Sequence, residues 1–276
     1  MRIDSHHHFW NYDAAEYGWI GDDMEVLKKD FLPADLLRET ETVGIDGVVS
    51  VQARQTIEET QWLTDFAKEN ELVRGVVGWV PLANQNLRGV LEAVADSPWL
   101  KGVRHVVQGE PDDNFILGSD FNRGVAMLKD FDLAYDVLIF AKHLAPSIEF
   151  VDRHPEQVMV LDHIAKPTIK TAAFHEFWAG SLRELGKREN VSCKFSGVVT
   201  EVRDPAWSID LIRPYWDVAL EAFGPNRLMF GSDWPVCLLR SGYGEWFTTV
   251  QALMAELSAD EQAAMLGENA IRVYNL

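Results

Sequence analysis

The sequence predicts a single-domain α/β fold, a (β/α)8 TIM barrel spanning residues 1–276, and three observations carry that expectation. Eight short apolar, β-branched runs, near residues 2–5, 47–52, 74–80, 102–107, 134–140, 158–162, 191–195 and 227–231, alternate with longer segments of helical period. Eight strand–helix units in 276 residues are close to the roughly 250 residues that such a barrel uses. No Gly-rich phosphate fingerprint follows the first run, where the rival doubly wound sheet usually carries a dinucleotide site.

The covering helices show themselves by their period. Phe121, Val125, Leu128 and Phe131 mark one apolar helical face, and Ile212, Tyr215, Ala219, Leu220 and Phe223 mark another. The second helix is expected to hold Pro214 in its first turn, where a missing N–H costs little. Gly224-Pro225 should end it, a left-handed cap residue followed by one that cannot continue a helix. Ser258-Ala-Asp-Glu261 reads as a capping box that opens a C-terminal helix. No composition shift or Gly/Ser-rich linker divides the chain.

Hydrophobic residues make up 47% and charged residues 25%, ordinary globular usage that excludes disorder and fibrous repeats. With 25 basic against 43 acidic residues the formal charge is −18, which argues against nucleic acid and anionic membranes as partners. No run reaches the ~18 apolar residues of a membrane span, and the N-terminus runs into histidines instead of an apolar signal core. Cys193 and Cys237 sit in apolar stretches, as buried reduced thiols do. A cytoplasmic protein acting on a small molecule is expected, with homo-oligomerisation left open.

In a barrel the chemistry sits at the C-terminal ends of the strands. The first run ends Asp4-Ser-His6-His-His8-Phe-Trp10, and residues two apart on a strand share a side, so His6 and His8 can converge on a divalent metal. The sixth run delivers His163, a ligand or a hydrogen-bonded structural histidine. The eighth delivers Asp233, which can serve as metal ligand, as general base for water or as a helix N-cap. Gln52, Arg54, Arg104 and His105 should place donors around the mouth, either for substrate oxygens or in rim ion pairs. Trp10 and Trp234 can stack on a sugar ring or pack in the core. Lys166 and Lys194 can orient substrate oxygens or pair with carboxylates, and His143 receives no role.

The stretches IDSHHHFW, DGVVSVQAR, VVGWVPL, KGVRHVVQGEPD, VLDHIAKP, CKFSG, RLMFGSDWPVC and GENAIRVYNL resemble, over nearly the whole chain, the amidohydrolase superfamily. Within it they are most similar to the sugar-lactone hydrolase branch of L-fuconolactonases and L-rhamnono-lactonases. The resemblance implies His6, His8, His163 and Asp233 as ligands of one divalent metal, zinc, that is either required or dispensable for turnover. Arg104-His105 stands where binuclear members carry a bridging carboxylated lysine or glutamate, so two metals are not expected. The implied reaction is hydrolysis of an aldonolactone to its sugar acid. Asp233 and His163 would be catalytic, and Arg54, Arg104, His105, Trp10, Lys166 and Trp234 would bind substrate. The rivals are a zinc-dependent decarboxylase of an aromatic acid and a sugar-binding barrel without activity.

Overall fold

The computed structural model describes residues 1–276. Eight parallel strands form one sheet in chain order: β1 (Ile3–His7), β2 (Gly47–Val51), β3 (Val73–Gly78), β4 (Leu100–His105), β5 (Ala134–Val137), β6 (Met159–Leu161), β7 (Val191–Ser196) and β8 (Leu228–Gly231). Every one overlaps an expected run, with boundaries reaching up to two residues beyond it at the starts of β3 and β4 and the end of β1. The strands are almost wholly buried, which is why they read as near-continuous apolar segments: helices cover the outer face and side chains fill the inside.

Closure occurs where the site will be. Beyond β8 the Asp233 N–H donates to the His6 carbonyl (2.8 Å) and the His8 N–H to the Trp234 carbonyl (2.7 Å). These bonds seam the last strand to the first and set Asp233 beside the two histidines. Gly231 permits the approach, since a β-carbon there would lie 2.6 Å from Ser196 Cβ and 2.9 Å from His6 Cβ.

The outer layer holds α1 (Pro33–Val43), α2 (Ile57–Glu69), α3 (Leu87–Val94), α4 (Ser119–Val125), α5 (Leu144–Arg153), α6 (Glu176–Leu185), α7 (Ile209–Phe223) and α8 (Tyr243–Leu253), followed by α9 (Ala259–Ala263) and α10 (Asn269–Tyr274). The Ser258–Glu261 capping box forms and opens α9. Cys193 and Cys237 are free and buried. Three local expectations are corrected. Pro214 is the sixth residue of α7, not in its first turn. It faces solvent, so water can satisfy the carbonyl that loses its partner, while Ile212, Tyr215, Trp216 and Ala219 bury the opposite face. Gly224 has φ +64 and ψ 169, a glycine-favouring conformation but not the left-handed helical cap. The face from Phe121 to Phe131 is broken, with α4 ending at Val125 and a separate 3-10 turn at Leu128–Phe131. Phe121, Val125 and Leu128 are still buried.

Candidate active site

Alternation along β1 turns His6 and His8 inward and His7 outward, where His7 Nε2 lies 2.8 Å from Ser50 Oγ. The inward pair meets Asp233. His6 Nε2 and His8 Nε2 are 3.3 Å apart, His8 Nε2 is 3.3 Å from Asp233 Oδ1, and His6 Nε2 is 3.7 Å from it. A tetrahedral site with ligands about 2.0–2.1 Å from its centre has edges of roughly 3.3–3.4 Å, so two edges of the triangle match zinc and the third, at 3.7 Å, is slightly wide. His163 lies on the far side of His6, the two rings 4.4 Å apart, and converges with His6 and Asp162 in a second group that shares only His6 with the triangle, so the four expected ligands do not form one cluster as they stand.

Tautomers support the same reading. His8 Nδ1–H donates to the Val51 carbonyl (2.8 Å) and His163 Nδ1–H to the Ser196 carbonyl (3.0 Å), which leaves each Nε2 lone pair for a ligand. Burial drives the His6 pKa well below its ordinary value and that of His163 down to about 4. Burial pushes Asp233 upward, but His163, His8 and His6 outweigh it and hold the carboxyl well below the usual range. At neutral pH the His6 and His163 rings are therefore neutral beside the Asp233 carboxylate, the protonation states a divalent cation requires.

Beneath this centre runs a buried ionic chain. Tyr274 Oη donates to Asp136, Lys194 donates to Asp136 and lies 3.2 Å from Asp162 Oδ1, and Arg104 Nη1 donates to Asp162 Oδ2 at 2.9 Å. Arg104 also donates to the carbonyl and side-chain oxygens of Gln52, and its Nη1 stands 3.3 Å from His6 Nε2. Lys194, wholly buried, is a partner of carboxylates and has no access to substrate.

The cleft above is small, about 190 Å³ against the ~300–1,000 Å³ common for drug-sized ligands, and so suits a compact substrate. His8, Gln52, Arg104, Gln108, His163, Lys166 and Asp233 supply its polar lining, and Trp19, Ala53, Val106, Leu138 and Val236 the rest. Thus Arg104 and Lys166 reach the cleft as expected, and four other residues do not. His105 follows Arg104 on β4 and so faces outward. It stacks on Phe115, accepts from Trp79 Nε1 and donates to Glu110 Oε1. Trp10 leaves the strand to pair with Phe31, is fully buried and donates its indole N–H to the Lys29 carbonyl. Trp234 is buried between Phe9 and Phe31. Arg54 lies in an outer groove, paired with Glu16 and set over the Tyr17 ring.

The exposed aromatic at the mouth is instead Trp19, 41% accessible and held edge-on by Trp10. Nothing in its Gly-Trp-Ile loop signals this. Asp162 was also missed, although a signal exists: Asp136, Asp162 and Lys194 are charges inside or ending strands otherwise made of apolar residues.

The segment that delivers His163 is unusual. His163 (φ 51, ψ 34), Ile164 (φ 48, ψ 34), Ala165 (φ 59) and Lys166 (φ 49, ψ 67) are four successive left-handed residues. Each costs about 1–2 kcal/mol for an L-residue, and β-branched Ile164 is the least suited. Burying Ile164 and Ala165 completely offsets part of that cost. Asp233 is left-handed too (φ 57), and Gly197 makes room for it, since a β-carbon at 197 would strike Asp233 Oδ2 at 2.4 Å.

Fold and site together define a class, a (β/α)8 barrel whose catalytic end gathers imidazole and carboxylate donors around one point. The family model described as Amidohydrolase matches residues 3–276, and the chain belongs to that family. It is 42% identical over 292 aligned residues to the L-fucono-1,5-lactonase of Burkholderia multivorans (strain ATCC 17616 / 249), covering 100% of this chain and 96% of the relative. It is 33% identical to the L-fucono-1,5-lactonase of Burkholderia ambifaria, again covering 100% and 96%. A crystal structure of an amidohydrolase from Burkholderia multivorans with bound zinc superposes with a TM-score of 0.96 at 41% identity, covering 100% of this chain and 99% of the other. No helix is long and apolar enough to cross a membrane.

Proposed function

We propose that the protein hydrolyses an aldonolactone of the L-fucono-lactone type to the sugar acid, water attacking the ester carbonyl. The observation that carries this reading is the Asp233 carboxylate set against His6 and His8 on the cleft floor, in a chain similar along its whole length to lactonases. His6, His8, His163 and Asp233 would hold one zinc ion. When bound, zinc supplies Lewis acidity toward the carbonyl and toward water, whose pKa falls from 15.7 to about 7.

The chain's own groups divide the remaining work. Asp233 takes a proton from the attacking water at a carboxylate oxygen and returns it to the ring oxygen that leaves as an alcohol. Arg104, held by Asp162 and Gln52, directs its fixed positive charge toward the oxyanion. Lys166 and Gln108 bind ring hydroxyls; Gln108 Oε1 is buried without a hydrogen-bond partner, as an acceptor awaiting a hydroxyl would be. Trp19 offers a face to the sugar ring.

The test is proton release from L-fucono-, L-rhamnono-, L-galactono- and D-arabinono-lactones. Acid production is expected from the first, and Asp233→Asn should slow it by at least ~10²-fold. Chelation should lower the rate and zinc restore it, whereas an unchanged rate would leave the oxyanion to Arg104 alone. No acid from any lactone, or carbon dioxide released from an aromatic acid instead, would overturn the proposal.

A further inference from the structure

The left-handed turn sorts its residues by side. His163 and Lys166, three apart, both line the cleft, while Ile164 and Ala165 between them are wholly buried. The turn is closed by the Lys166 N–H donating to the His163 carbonyl at 2.9 Å. The Ile164 carbonyl points away from the cleft and accepts the indole N–H of Trp178 at 2.6 Å. Trp178 is the third residue of α6, fully buried, and its ring packs against Tyr215 at 5.1 Å between centroids. It touches neither the cleft nor the centre on its floor.

We propose that Trp178 is a positioning residue, which clamps the Ile164 carbonyl and so holds residues 163–166 in the left-handed turn that presents His163 and Lys166 to the cleft. Without the clamp, a backbone conformation that L-residues disfavour has less to hold it. The turn then relaxes toward right-handed or extended geometry, and His163 and Lys166 no longer share a side. The proposal rests on the zinc-holding lactonase reading in that His163 and Lys166 act on the substrate and metal of that site.

The experiment compares wild type, Trp178→Phe, and Trp178→Phe combined with Ala165→Gly. Phenylalanine keeps an aromatic ring in the core and removes the donor. Glycine at 165 populates positive φ about as readily as negative, so it eases the turn without restoring any packing. Zinc affinity is read by competition with a chromophoric chelator, amide exchange of residues 163–166 by mass spectrometry, and kcat and KM on L-fucono-1,5-lactone by proton release. In Trp178→Phe, zinc affinity and kcat/KM are each expected to fall about 10-fold, the low end for a group that orients a ligand from behind. Exchange should quicken in the turn and stay unchanged in the strands. The added glycine should recover at least half of the lost zinc affinity on a logarithmic scale and slow the exchange again. If Trp178→Phe does not fold, the double variant is expected to, and failure of both overturns the proposal. So does a Trp178→Phe protein that matches wild type, or a loss that glycine leaves unrepaired, which would make Trp178 core packing alone. If wild type neither binds zinc nor opens a lactone, the functional reading fails, while the exchange data still decide the clamp.

Discussion

At the scale of single residues, the decisive feature is how buried charges are partnered. Lys194 is wholly buried between Asp136 and Asp162, and burial raises the Asp136 pKa to about 6 against the pull of Lys194. Removing one partner of such a group leaves uncompensated charge, which typically costs about 3–5 kcal/mol. Lys194→Met should therefore lower unfolding stability by that amount in urea, and a loss below about 1 kcal/mol would contradict the ion-pair reading. Glu59 gives a pH-dependent case. Its Oε2 accepts from the Ala53 and Arg54 N–H groups, and burial raises its pKa from 4.5 to about 7. Between those values the folded chain holds a proton that the unfolded chain releases, so stability falls as pH rises through the window and is level above it. The full effect is about 3 kcal/mol. Glu59→Gln lacks this dependence, so between pH 5.5 and 8 wild type should lose stability relative to the variant; parallel curves would refute the assignment.

At the scale of elements, the strands were legible and several connections were not. A strand buried on both faces needs apolar, β-branched residues along its length, and that demand is written directly into the sequence. Helix interiors are less binding. Pro214 stands inside α7 because the buried face of that helix outweighs the lost hydrogen bond. Pro214→Ala should accordingly stabilise the protein by about 1–3 kcal/mol, the helical gain reduced by the greater freedom alanine gives the unfolded chain. A lower melting temperature in a thermal scan would show that the proline is needed where it stands. The left-handed turn at 163–166 lay beyond sequence reasoning for a physical reason: Ile and Ala disfavour that conformation, so only surrounding contacts such as the Trp178 bond can select it.

At the scale of the whole molecule, the charge of −18 sets up self-repulsion that the surface ion pairs only partly offset. Pairs such as Arg88–Asp130 and Arg183–Glu221 are exposed and each contributes little. Raising salt from 10 to 150 mM shortens the screening length from about 30 to about 8 Å and weakens both effects, but the long-range repulsion more. The melting temperature is expected to rise by roughly 2–4 °C, the shift ~1 kcal/mol produces at this size; a fall would give the larger weight to the pairs.

The same division runs through the site. His6, His8, His163 and Asp233 could be named from sequence because strand ends have fixed places in a barrel and strand alternation sets the direction of a side chain. Arg104 inward and His105 outward obey that rule too, yet which of two neighbours faces in depends on register, and only the folded sheet establishes it. Trp10 and Trp234 carried the right chemistry in the wrong place, since an aromatic ring is equally at home in a core. Trp19 took the exposed position because loop packing against Trp10 put it there. By itself, then, the sequence determined the barrel through its periodicity, while the order of its strand ends and the resemblance to a family singled out His6, His8, His163 and Asp233 as candidates. Which donors face the substrate, which charges neutralise one another and which backbone strain holds His163 in place were decided by tertiary contacts, because each depends on groups far apart in the chain.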